Sequence, residues 1–238
     1  MKDPLEHMIH AREARCLLRA HRYGTLSTLS VKFGGHPFGS IAPYLTDHDG
    51  SVLLFLSSLA EHSKNLLHDP RISLISHDQN DSRIQTEGRI TVVGEAHPLE
   101  GRNLYAARWL RHFPENEQLF ALGDFCFYRL MPNAVRHIAG FGQARWYNSH
   151  FTVLPSPLIQ EEEALLAQLN STARDILCAI CHNRLQLNPV DVRAVGIDCD
   201  GLALSVDGRM LRCDFAQPVT DGIGADAQIA QLAAPLSR

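Results

Sequence analysis

The feature that most limits what this chain can become is a series of four short segments, 24–33, 38–45, 51–57 and 71–76, rich in β-branched, aromatic or alternating apolar residues. Gly34-Gly35, Asp47-His48-Asp49-Gly50 and His68-Asp69-Pro70 stand between them, and such residues punctuate strands. Strands so close in sequence predict an antiparallel meander. A further pair is expected at 83–94 and 125–130. A sheet of many short strands leaves unpaired edges unless it curls shut, so the pattern predicts a barrel.

Helical spacing marks the segments around this meander. Residues 5–21 carry Leu5, Met8, Ile9, Cys16, Leu17 and Ala20 on one face, interrupted by Arg12, which predicts an amphipathic helix against the barrel. Residues 58–69, with Leu59, His62, Leu66 and Leu67, predict a short helix stopped by Pro70, and 98–111 predicts another. Gly-rich 137–146 reads as a strand, and the Pro-containing stretch 154–158 as a stiff linker. Beyond it, helix 160–182, strands near 192–197, 202–206 and 210–215, and a closing helix after Pro218 are expected. Asp207-Gly208 is the strongest two-residue hairpin signal in the chain. The fold class expected is α+β: a barrel domain over 1–153 and a small α/β domain over 154–238.

With 238 residues, 45% of them hydrophobic, the chain can bury a substantial core. Its net charge of -4 and lack of a basic stripe speak against nucleic acid as a partner. No apolar run has the length of a membrane span, and the amino terminus does not read as a signal peptide, so the cytoplasm is the expected compartment. Six scattered cysteines read as buried thiols rather than a disulfide framework. Thirteen dispersed histidines form no H-E-x-x-H or His-x-His pattern.

Two motifs carry possible chemistry. In Ser57-Ser58-Leu59-Ala60-Glu61-His62-Ser63-Lys64-Asn65-Leu66, hydroxyls at a strand end and a lysine one turn into a helix could converge on an anion. The same residues equally fit a Ser-capped surface helix with a solvated lysine. Cys178-Ala179-Ile180-Cys181-His182 has the form of a c-type heme attachment site. It continues a helix whose apolar face is Leu165, Leu169, Ile176 and Ile180, so Cys178 and His182 are expected on the opposite side. Chance spacing or an adventitious metal site is the reading preferred for it.

Gly24-Thr25-Leu26-Ser27-Thr28-Leu29-Ser30, Pro37-Phe38-Gly39-Ser40-Ile41-Ala42-Pro43-Tyr44, the Ser57 to Asn65 motif with Asp69-Pro70-Arg71, Gly88-Arg89-Ile90-Thr91, Gly123-Asp124-Phe125 and Gly140-Phe141-Gly142-Gln143-Ala144 occur in order. This set resembles the HugZ-type heme-utilisation family of the pyridoxamine 5'-phosphate oxidase-like, FMN-binding split barrels. Residues 160–238 also resemble the small domain that often follows the barrel in that family.

The resemblance implies a split β-barrel homodimer that holds a small-molecule ligand between subunits: heme in the HugZ-type branch, in some members degraded to release iron, or FMN in flavin-dependent oxidoreductase relatives. It makes Ser40, Pro43, Ser57, Ser58, His62, Ser63 and Lys64 candidate ligand contacts, with Lys64 toward an anionic group. Arg145, beside Arg136 and Trp146, could clamp a propionate. Asp124 matches an aspartate that orients an iron-ligating histidine, though a local backbone-bonding role is the alternative. The family's tail histidine is missing, since no histidine lies between His150 and His182, and His150 is the nearest substitute for the iron. A non-catalytic heme-sensing or partner-binding module is a further reading.

Overall fold

The computed structural model describes residues 4–77, 88–139, 144–148 and 157–235. Its contacts divide the chain into two compact units, Met1–Leu154 and Pro155–Arg238.

In the first unit, helix α1 (Pro4–Ala20) leads into β1 (Tyr23–Leu29), β2 (Pro37–Thr46) and β3 (Val52–Ser57). Helix α2 (Glu61–His68) follows, then β4 (Arg71–His77), β5 (Arg89–Pro98), α3 (Arg102–His112), a 3-10 turn over Pro114–Ala121, β6 (Phe125–Ile138) and β7 (Ala144–Asn148). The strands run in the order β3-β2-β1-β4-β5-β6-β7, and β3 also pairs with β6. That second pairing closes six antiparallel strands into a barrel, with β7 appended to β6.

β3 is the strand that both faces need. Val52, Leu54 and Leu56 point into the barrel core beside Leu26, Tyr44, Leu74, Val92 and Leu130. Leu53 and Phe55 point outward under Trp109, Phe113 and Phe127. A strand buried on both sides loses the alternation of a half-exposed one, which is why 52–56 is an unbroken apolar run.

α1 buries a narrower stripe than its sequence suggests. Ala11, Ala14 and Leu18 pack into the core, whereas Met8 and Ile9 are exposed. The buried positions follow i, i+3, i+7 spacing, and Met8 and Ile9 lie off that stripe.

β6 is also longer than expected. It runs through Pro132, which lacks a ladder donor, because its pairing with β5 shifts register between Val93 and Gly94. At that bulge the two backbones nearly touch: a Cβ on Gly94 would lie 2.0 Å from the Met131 carbonyl oxygen.

The β2–β3 turn is fastened by charge. Buried Asp47 meets Arg108 of α3 at 2.9 Å and Arg129 of β6 at 2.8 Å. Arg129 also donates to Ser51 Oγ at 2.6 Å. Burial alone would raise the Asp47 pKa, but Arg108, the His48 backbone N–H and Arg129 outweigh it and hold the carboxyl below its ordinary range.

The second unit contains a 3-10 turn over Pro157–Gln160, helices α4 (Glu162–Thr172) and α5 (Arg174–Ile180), a π-helical turn over Cys181–Leu185, strands β8 (Val192–Asp198), β9 (Gly201–Val206) and β10 (Arg209–Asp214), and helix α6 (Gly222–Ala233). The expected hairpin joins β9 to β10, with Asp207 at φ 48° and Gly208 at φ 78°. The single helix expected over 160–182 is instead broken at Ala173, where φ is -119°. The break slips the helical phase, so Leu177 is buried while Ile176 is partly exposed. At the free edge of β8, side chains substitute for a neighbouring strand: Asn170 accepts from the Ala194 N–H and donates to its carbonyl, and Glu162 accepts from the Ile197 N–H. Among the described residues, no helix is long and apolar enough to cross a membrane.

Two outcomes test this account. Gly94→Ala should cost about 3 kcal/mol or prevent folding, because the new methyl must push two paired backbones apart; an unchanged urea midpoint would contradict the close approach. Asp47, depressed in the folded state, stabilises the fold above the unfolded carboxyl pKa, and that contribution disappears as pH falls through its lower folded value. Arg108→Met should remove roughly 3 kcal/mol at neutral pH and, because it brings the folded Asp47 pKa back toward the unfolded value, should shrink the part of the stability that is lost on acidification, read from urea unfolding across pH 2–7.

Candidate functional site

The barrel is split on one side. β2 pairs with β1 from Pro37 to Pro43, but with β3 only from Tyr44 to Thr46. β3 beyond Leu54 pairs with β6 alone. Extending the register of Tyr44 with Leu54, a sum of 98, would set Ser40 opposite Ser58. The strands diverge first. Pro43, which has no N–H to offer, stands at the point of divergence, half-buried and paired with Tyr23 of β1.

Helix α2 sits over this opening. Its Leu66 enters the barrel core, and buried Asn65 fixes the helix by donating to Thr28 Oγ1 at 2.9 Å and accepting from the Val31 N–H at 3.0 Å. With α2 so anchored, His62 turns toward the split, where its Nδ1 lies 3.1 Å from Ser40 Oγ. This contact joins the two strands' neighbourhoods across the gap. Burial lowers the His62 pKa, so the neutral ring is favoured.

Across the split, Ser57 Oγ donates to the Asp124 carboxylate, and the Ser58 N–H donates to the Asp124 carbonyl at 2.7 Å. The closing pair Ser57 and Phe125 places these residues together. Arg102 of α3 arranges the approach to Asp124: its guanidinium donates to the carbonyls of Leu119 and Leu122 and lies over the Phe55 and Phe120 rings.

The remaining expected contacts do not join this group in the chain. Lys64 is exposed and pairs with Glu61 at 3.1 Å. It lines a shallow groove of about 380 Å3 with Val31, Lys32, Glu61, Leu67 and His68. His62 and Lys64 are two residues apart on a helix, roughly 200° around its axis, and therefore diverge. Ser63 is turned wholly inward and is fully buried. Ser58 is exposed. Arg145 lies on β7 opposite His137, beside the Arg136–Trp146 cation–π pair. His150 lies outside the described residues.

Asn65 and Arg102 are positioning residues that sequence reading did not single out. An asparagine inside a helix is a weak signal of a tertiary partner. Arg102 gave none, because its partners are carbonyls and ring faces.

Two other groupings of possible ligands are engaged locally. Cys181 is buried, Cys178 packs partly against the same core rather than on the opposite side as expected, and exposed His182 sits 3.0 Å from Asn188. Asp198, Cys199 and Asp200 come together in the β8–β9 turn, but Arg212 engages both Asp198 oxygens, at 2.7 and 2.9 Å.

Comparison with known proteins adds to this geometry. The sequence profile of the pyridoxamine 5'-phosphate oxidase family matches residues 11–139. The chain is 31% identical over 208 residues to the chloroplastic heme oxygenase HOZ of Arabidopsis thaliana, covering 83% of this chain and 63% of that protein. It thus spans somewhat under two thirds of that relative's length. A crystal structure of a protein of unknown function from Agrobacterium tumefaciens superposes with a TM-score of 0.78 at 22% identity, covering 96% of this chain and 95% of the other. A heme binding protein from Mycobacterium smegmatis gives a TM-score of 0.55 at 28% identity, with coverage of 94% and 95%.

Asn65→Ala should cost about 2 kcal/mol, since it strands the Val31 N–H and the Thr28 hydroxyl, and should speed amide exchange across Glu61–His68. Equal exchange in the two proteins would show that α2 is held by its apolar contacts alone.

Proposed function

The chain belongs to the pyridoxamine 5'-phosphate oxidase-like split barrels, in their HugZ-type heme-utilisation branch, and on that footing we propose that it binds heme at the split between β2 and β3. The observation that carries this reading is the state of Ser57. Its hydroxyl is already donated to Asp124, and α2 opens with Glu61 rather than with a side-chain cap. A phosphate dianion brought to this helix start would face two carboxylates and find the serine proton taken. The FMN alternative is therefore the weaker one. Heme asks for different chemistry: an apolar plane, a neutral nitrogen or oxygen near the iron, and cations at its periphery. Neutral His62 and Ser40 suit the iron end. The cationic groove of Lys32 and Lys64 suits carboxylates, but it lies around the helix from His62.

That separation favours a site completed by a second copy of the chain. The unpaired edge of β2, and the outward-facing Ile41, Val93 and Met131, form a surface a second copy could cover. A role in iron utilisation inside the cell, and heme opening as in the relative named a heme oxygenase, belong to the same proposal. In either role the protein supplies orientation and electrostatics, and heme the redox chemistry.

Titration with hemin and, separately, with FMN tests the reading, followed by light scattering for mass. A sharp Soret band shifted from that of free hemin, no retained flavin and a dimer mass are expected. Stoichiometric flavin without a Soret shift would reverse the choice of cofactor. Ascorbate under oxygen then separates turnover, in which the Soret band decays, from binding alone, in which it persists.

A further inference from the structure

We infer that His62 Nε2 is the protein ligand to heme iron and that Ser40 is its positioning residue; the inference rests on the heme reading above. Ser40 Oγ and His62 Nδ1 are 3.1 Å apart. With the ring proton on Nδ1 and donated to the hydroxyl, the lone pair lies on Nε2. Metal-ligating imidazoles are ordinarily held this way, through an oxygen that accepts from the far ring N–H. Nε2 has no protein partner among the described residues and is not sealed from solvent.

The ring is held from both sides. Ser40 is fixed in the ladder opposite fully buried Leu26. His62 is fixed by the helix that Asn65 and Leu66 anchor. Four other described histidines lack this placing. His10 and His97 stand beside the exposed carboxylates of Glu13 and Glu95, His137 is buried, and His182 belongs to the second unit. Asp124, which the resemblance assigns to orienting a histidine, is occupied by Ser57. A serine acceptor in its place leaves the ligand a neutral imidazole, without the imidazolate character that a carboxylate confers.

Resonance Raman spectra of the ferrous hemin complex test the assignment through the iron–histidine stretch. Wild type should show the stretch of a neutral imidazole. His62→Gly should lose it, and added imidazole should restore it. Ser40→Ala, a nearly isosteric change that spares the fold, should keep the band at a lower frequency and weaken hemin binding roughly tenfold. His150→Ala should leave both unchanged. A stretch that survives in a His62→Gly protein with native circular dichroism, or one that vanishes in His150→Ala, overturns the assignment while heme binding stands. If wild type gives no Soret shift with hemin, it is the heme reading itself that fails.

Discussion

Everything in the first unit depends on β3 pairing with β6. This contact joins strands far apart in sequence, Ser57 to Phe125 and Val52 to Leu130, and converts an open sheet into a closed barrel. Closure removes most of the unpaired edge, and it encloses Leu26, Leu54, Leu74 and Leu130, each without measurable exposure. Burying such side chains is worth about 1.5–3 kcal/mol apiece before conformational entropy is counted, so a barrel that failed to close would lose its core along with its ladder. The outer face gains too, because Phe55 and Phe127 are brought side by side for Trp109 and Phe120 to cover.

The same closure makes the site. It carries Asp124 to Ser57 across 67 residues of chain. The split lies beside it, since β3 beyond Leu54 pairs with β6 alone. What remains is a short stretch of β2 with a free edge and a helix to cover it. α2 is fastened by an apolar residue, Leu66, and an amide, Asn65, and its two functional faces look in different directions: His62 toward the split, Lys64 toward an outer groove. Ser57 and Ser40 each have a local partner on their side of the gap, and among the described residues His62 Nε2 has none.

Short-range chemistry is legible in the order of the amino acids. The strand and turn alternation from Gly24 to Ser76, the Asp207-Gly208 hairpin and the order of the barrel motifs all reflect preferences set within two to four residues. The barrel class and the family follow from them. Where a local rule fails, a tertiary contact has overridden it: β6 passes through Pro132 because a bulge at Gly94 absorbs the missing donor, and Ile176 faces solvent because the helix breaks at Ala173.

The amino-acid sequence by itself determined the type and succession of the elements and the residues gathered around the third strand's exit. Only the tertiary structure decided how those residues divide: Ser57 is bound to Asp124, Ser40 meets His62, Ser63 is buried, and Lys64 turns away. The reason is physical. Periodicity fixes the direction of a side chain relative to its own helix or strand, whereas its partner is chosen by which distant strand closes the barrel, and loop closure between residues so far apart leaves no trace in the neighbours of either one.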